Sequence, residues 1–229
     1  INLTKVGDNI VSGDNLYGGT FELFENTLKD LGRSVKFVDS QSPDEFEKAI
    51  DEKTRGIYVE SIGNPKLDVP DFDVLSEIAH SHGIPLVVDN TVGVGTIRPF
   101  DHGADIIASS ATKYIGGHGT TMGGIIIEKG DFPWDNGKFP ALVEPDETYN
   151  GLSFYKDVGP AAFTTRIRAV LGRDTGAIPS PFGSFLLLQG LETLDLRIRK
   201  HGENALAVAK HLEQHPKVAW VTYSGLESS

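Results

Sequence analysis

Short apolar runs of strand length alternate with stretches of helical spacing through the first half of the chain. Asn9-Ile10-Val11-Ser12-Gly13 predicts a strand leaving a turn. Thr20 to Leu31 predicts a helix, with Phe21, Phe24, Leu28 and Leu31 at helical intervals and Gly32 closing it. Ser34 to Val38 follows as a strand. Pro43 to Ile50 reads as a helix, with Pro43 placed where its missing N–H costs little. Gly56 to Ser61 is the next strand. Asp71 to His82 carries Val74, Leu75, Ile78 and Ala79 on one helical face and stops at Gly83. Pro85-Leu86-Val87-Val88-Asp89 is almost continuously apolar, the pattern of a strand buried on both faces. Asp105 to Ala108 and Gly123 to Ile127 read as two more strands of that kind. Repeated β-α-β units of this length predict an α/β fold with a mostly parallel sheet covered by helices.

The second half changes character. Residues 130 to 155 are rich in Gly, Pro, Asp and Asn and read as a long excursion with little regular structure. Loops of this length in a compact enzyme often line a site or an interface. Gly159 to Leu171 predicts a helix. Phe182 to His215 keeps helical periodicity over a length that fits two helices, or one kinked near Gly190 or Gly202. Helices of that size commonly join a large domain to a smaller one, which a strand at Val218 to Tyr223 would open. The expected division is a large domain over residues 1–180, linking helices over 181–216, and the start of a smaller C-terminal domain over 217–229.

Composition narrows the function classes. With 229 residues, 39% hydrophobic and 23% charged, the chain can bury one large core or two modest ones. It has no cysteine, which excludes a disulfide framework, a thiolate-ligated metal and a thiol nucleophile, and fits a cytoplasmic location. Lys and Arg total 21 against 32 Asp and Glu, a formal charge of −11 and the opposite of what a non-specific nucleic-acid binder needs. No apolar run approaches the roughly 20 residues of a membrane-spanning helix. Neither a signal peptide nor an initiating methionine precedes the regular pattern that starts at Ile1, so the sequence reads as an interior segment of a longer protein.

In open α/β sheets ligands bind outside the carboxyl ends of the strands, so polar residues ending apolar strands are the candidates. Three such ends stand out: Glu60 to Pro65, Val87 to Thr91, and Ala108 to Lys113. The last runs on through Tyr114-Ile115-Gly116-Gly117-His118-Gly119. It places a lysine beside hydroxyls and a glycine-rich loop. Lysine condenses with carbonyls, while hydroxyls and backbone N–H groups hold phosphate. An acid ending a neighbouring strand can face a protonated pyridine nitrogen. Together these requirements describe a pyridoxal phosphate site. Each residue alone also has an ordinary use: a strand-end Asp caps turns, and a loop lysine is a solvated charge. His118 finds no second ligand at metal spacing, and His80 and His82 leave different helix faces, so no metal is assigned. Asn2-Leu3-Thr4 matches a glycosylation triplet without other support, and no G-x-G-x-x-G follows the first strand.

Four segments occur in order at matching spacing: Tyr17-Gly18-Gly19-Thr20, Gly63-Asn64-Pro65, Val88-Asp89-Asn90-Thr91 and Ser110-Ala111-Thr112-Lys113-Tyr114. With Gly190-Leu191-Glu192-Thr193-Leu194, they resemble the trans-sulfuration, or Cys/Met-metabolism, family of pyridoxal phosphate enzymes over essentially the whole chain. Tyr149-Asn150-Gly151-Leu152, the Phe163 to Arg168 segment and Gly19, where some γ-lyases carry cysteine, resemble the O-acetylhomoserine sulfhydrylase branch. The resemblance implies a fold-type I transferase with pyridoxal 5′-phosphate as cofactor. It implies that Lys113 carries the cofactor and moves protons at the substrate's Cα and Cβ. It also implies that Asp89 pairs with the ring nitrogen, Tyr17 stacks on the ring and assists proton transfer, Asn64 bonds the ring's phenolic oxygen, and Ser110 and Thr112 hold the phosphate. The implied reaction joins O-acetyl-L-homoserine and sulfide, giving L-homocysteine and acetate. Cystathionine γ-synthase and methionine or cystathionine γ-lyase chemistry are the sibling alternatives. A non-catalytic binding module is the alternative of another class, disfavoured because a scaffold needs none of Lys113, Asp89 and Tyr17. The family's glycine-containing phosphate loop, its cross-subunit tyrosine and arginine, and its carboxylate-binding arginine fall outside this sequence. A homotetramer built from dimers that share active sites is the expected assembly, with no membrane or nucleic-acid partner.

Overall fold

In the computed structural model, which describes residues 1–228, six strands form one sheet: β1 (Asn9–Gly13), β2 (Ser34–Val38), β3 (Thr54–Glu60), β4 (Leu86–Asp89), β5 (Ile106–Ser110) and β6 (Gly124–Glu128). Their order is β2-β1-β3-β4-β5-β6. β1 to β5 run parallel, and β6 is antiparallel to β5. Parallel neighbours need crossover connections, and helices supply them. The first, α1, runs through the consecutive segments Gly18–Glu22, Leu23–Thr27 and Leu28–Asp30. It is followed by α2 (Pro43–Ala49) and α3 (Phe72–Ser81). The Asp71 carboxylate caps α3 by accepting from the Val74 N–H at 3.2 Å. Between β5 and β6 lies only the turn Ala111–Ile115 and a glycine-rich stretch, so the chain folds straight back. The strand order reverses between β1 and β3, because β2 lies to one side of β1 and β3 to β5 to the other.

One face of the sheet presents Val11, Ile57, Val59, Leu86 and Val88, all buried with Phe46, Phe72, Leu75 and Ala79 of α2 and α3, while Ile106 is buried on the opposite face in register with Val87. Burying the five aliphatic strand residues of the first face, at about 1.5–3 kcal/mol each, makes that face a large contributor to stability. The chain from 129 onward adds α4 (Pro140–Val143) and α5, which runs through Ala162–Arg166, Ile167–Gly172 and Arg173–Thr175.

Several expectations are corrected. β6 is not buried on both faces: Ile125, Ile126 and Ile127 remain 41–46% exposed, because the strand sits at the sheet edge. The excursion over residues 130–155 is irregular as expected, but it closes the core instead of lining the strand ends. Phe132, Trp134, Phe139, Leu142 and Phe154 are buried there, and Trp134 stacks on Phe163 of α5 with ring centroids 5.6 Å apart. The long helical stretch is two helices, α6 (Pro181–Leu191) and α7 (Leu194–Glu213). They part just after Gly190, and Gly202 lies inside α7. No strand forms over Val218 to Tyr223 among the described residues, and Trp220 is 78% exposed. A strand forms only beside another, and among the described residues no strand of the sheet pairs with this segment. Of the expected terminal segment 217–229, Ser229 lies outside the described residues.

Candidate active site

The loops leaving β1, β3, β4 and β5 all open at the carboxyl edge of the sheet, beside the point where strand order reverses. Tyr17 follows β1, and its backbone N–H donates to the Glu60 carboxylate at the end of β3 at 2.7 Å, bridging that reversal. Tyr17 is 53% exposed, and its ring lies 5.6 Å, centroid to Nζ, from Lys113 in the turn after β5. That is cation–π distance. Gly19 makes room for this ring position: a Cβ there would stand 2.6 Å from the Tyr17 Cε1.

Asp89 ends β4 opposite Glu60 in the parallel register. Its Oδ2 accepts from the Tyr58 hydroxyl at 3.1 Å, and its Oδ1 from the Thr91 N–H at 2.9 Å and the Thr91 hydroxyl at 2.5 Å. Three donors fix the carboxylate while Oδ2 keeps a lone pair for a further N–H. The Thr91 oxygen accepts in turn from the Ser110 N–H at 2.8 Å, linking the ends of β4 and β5. Among the described residues the Ser110 hydroxyl makes no hydrogen bond. The Thr112 hydroxyl donates to the Gly123 carbonyl at 3.2 Å and accepts from the Gly123 N–H at 3.0 Å, so its proton is engaged and one lone pair is left. Lys113 itself leaves the helical conformation of its turn, with φ −85° and ψ −113°.

Electrostatics sharpen the picture. Burial, reinforced by the charges of Asp89 and Asp68, pushes the Glu60 carboxyl up to about 7, although the Tyr17 N–H works against the shift. Burial also holds the Tyr58 phenol well above its ordinary range, with the Asp89 and Glu60 charges adding to it. Tyr58 therefore stays a neutral donor to Asp89.

The structure brings together Tyr17 with Lys113, and Asp89 with Ser110 through Thr91. Asn64 stands apart: it is exposed, joined to Pro65 by a cis peptide bond, and among the described residues no hydrogen bond links it to Lys113 or Asp89. Its loop is held by Gly63 N–H on the Asp68 carbonyl at 2.8 Å and by the Asn15 side chain on the Asp68 carboxylate. Arg166, on α5, bonds Asn2 through its guanidinium at 2.5 Å, and Arg168 is exposed on the same helix. The sequence reading places Glu60 and Thr91 in candidate strand ends without giving them a task, and it missed Tyr58. Tyr58 and Glu60 do share a face of β3 by strand alternation, but only the register against β4 reveals that both meet Asp89.

This donor set fits pyridoxal phosphate: an amine over an aromatic ring, an oriented carboxylate with a free lone pair for a ring N–H, and an unengaged hydroxyl for phosphate. The comparisons agree. The family described as Cys/Met metabolism PLP-dependent enzyme matches residues 1–229. The Kluyveromyces lactis protein named homocysteine/cysteine synthase is 54% identical over 230 residues, covering 99% of this chain and 52% of that protein. The Leptospira meyeri O-acetyl-L-homoserine sulfhydrylase is 46% identical over 237 residues, covering 100% of this chain and 54% of the other. A crystal structure of a putative O-acetylhomoserine (thiol)-lyase from Campylobacter jejuni, which contains N′-pyridoxyl-lysine-5′-monophosphate, superposes with a TM-score of 0.94 at 39% identity. It is matched over 100% of this chain and 57% of that one. The chain thus spans about half the length of the curated relatives it matches. With a matching fold and a family match along its whole length, this chain belongs to the Cys/Met-metabolism family of PLP-dependent enzymes.

Proposed function

We propose that the protein replaces the acetoxy group at Cγ of O-acetyl-L-homoserine with sulfide, forming L-homocysteine and acetate. The carrying observation is the placement of Lys113, Tyr17 and Asp89 at one sheet edge in a chain 46–54% identical to proteins named for that activity. Pyridoxal phosphate supplies the electron sink for proton loss beside the amino group. In this reading Lys113 binds the cofactor covalently, then takes and returns protons at Cα and Cβ. Asp89, oriented by Tyr58 and Thr91, holds a proton on the ring nitrogen. Tyr17 covers the ring, Asn64 meets its phenolic oxygen, and Ser110 and Thr112 take the phosphate. The reading also includes the division into a large domain (1–180), linking helices (181–216) and the start of a smaller domain (217–229). It includes a homotetramer of site-sharing dimers, and a location in the cytoplasm that the cysteine-free composition supports.

Sulfide needs no pocket of its own, whereas cysteine brings an ammonium and a carboxylate that must be paired once desolvated. Arg166 is turned to Asn2, so it offers no obvious second carboxylate anchor. The whole enzyme given O-acetylhomoserine should therefore show a kcat/KM for sulfide at least roughly tenfold above that for cysteine. Equal or reversed values would move the protein to the cystathionine γ-synthase branch.

A further inference from the structure

The turn that carries Lys113 has an accounting problem that a distant arginine solves. Within it, Gly116 N–H donates to the Ala111 carbonyl and Gly117 N–H to the Lys113 carbonyl, each at 2.8 Å. The His118 ring serves the Gly116 carbonyl, also at 2.8 Å. Among the described residues no backbone N–H reaches the carbonyls of Tyr114 and Ile115. A single turn leaves such groups without partners, and a half-buried carbonyl is not left bare without cost. Arg197, half-buried on α7, fills both: Nη1 donates to Tyr114 O at 2.7 Å and Nη2 to Ile115 O at 3.3 Å.

The same guanidinium reaches back across the break between the two long helices. Nη2 also donates to the Gly190 carbonyl at 2.7 Å, and Nε to the Thr193 hydroxyl at 3.1 Å. Gly190 is where α6 touches the lysine turn, since a Cβ there would collide with the Gly116 carbonyl. One helical turn beyond Arg197, His201 packs its ring 5.8 Å from that of Tyr114. We propose that Arg197 is a positioning residue for Lys113: its planar fork joins the carbonyls of Tyr114, Ile115 and Gly190 and so fixes the turn from which the lysine projects. A lysine at 197 keeps the charge but not the fork. This inference rests on the reading of Lys113 as the cofactor lysine.

The test uses the whole protein with Arg197→Met and Arg197→Lys, each with and without cofactor. In cofactor-free Arg197→Met, the amides of Gly116 and Gly117 should exchange with deuterium at least about tenfold faster. With cofactor loaded to equal absorbance, visible circular dichroism, which reports the cofactor's orientation, should fall by about half or more, and Arg197→Lys should lie between the two proteins. Should Arg197→Met fail to fold, Arg197→Lys decides alone, with about threefold faster exchange expected and no change overturning the proposal. Borohydride reduction followed by peptide mass measurement locates the cofactor lysine in each protein. An adduct on another lysine overturns the site reading and Arg197's role with it. An adduct on Lys113 with unchanged exchange and dichroism overturns the role of Arg197 alone.

Discussion

Two carboxylates end neighbouring strands at this site, and their surroundings give them opposite tasks. Asp89 receives three hydrogen bonds and is held as an oriented acceptor. Glu60 receives one, from Tyr17, and burial lifts its carboxyl to about 7. Its unfolded value is near 4.5, so between pH 4.5 and 7 the folded chain binds more protons than the unfolded chain. Stability therefore falls as pH rises through that window and is level with respect to Glu60 above it. Glu60→Gln keeps an acceptor for the Tyr17 N–H and removes the charge. The variant should melt with the parent at pH 4.5 and above it at pH 8, measured by thermal unfolding of the cofactor-free protein. A variant less stable than the parent at pH 8 would contradict the argument. The identity of Asp89 as a candidate was legible in the sequence, because an acid ending a wholly apolar strand is conspicuous. The tasks of Tyr58, Glu60 and Thr91 were not, since they depend on which strands lie side by side.

At the level of elements, His80 joins helix to sheet. From α3 its Nε2 sits 2.9 Å from an oxygen of Asp105, which also accepts from the Leu86 N–H of β4 at 2.8 Å. The Asp105 hydrogen bond raises the His80 pKa above 6.5, with burial opposing. Because the folded value lies above the unfolded one, the pair's contribution is complete below pH 6.5 and fades as pH rises through the raised value. His80→Ala should cost roughly 0.5–1 kcal/mol at pH 6 and much less at pH 9, by chemical denaturation at the two pH values. A cost independent of pH would place the effect in packing instead. Elements were read well where the pattern was local. β4 announced itself through Leu86, Val87 and Val88, and α3 through its apolar stripe and the stop at Gly83. The excursion's role was hidden, because Phe132, Trp134 and Phe139 follow no period and gain meaning only against Phe163. Arg197 was hidden for a similar reason, lying 83 positions from the Tyr114 carbonyl it serves.

For the molecule as a whole, the carboxyl ends of the strands and the outer edge of the sheet present different problems. β6 pairs with β5 alone among the described residues, and its other edge presents backbone N–H and C=O groups beside three partly bare isoleucines. Such an edge is a template on which another chain can lay down a strand. The charge of −11 keeps like molecules apart, and dissolved salt weakens that repulsion. The 229-residue chain kept by itself should thus turn cloudy with a lag that shortens as salt is added, and Ile126→Lys should lengthen that lag several-fold, a change readable by light scattering over time. An unaltered lag in the lysine variant would move the origin of the cloudiness to Phe182 and Phe185, the exposed aromatic residues of α6. The colloidal lifetime of this chain, as distinct from its folding or its chemistry, is then governed by five residues at the rim of the sheet.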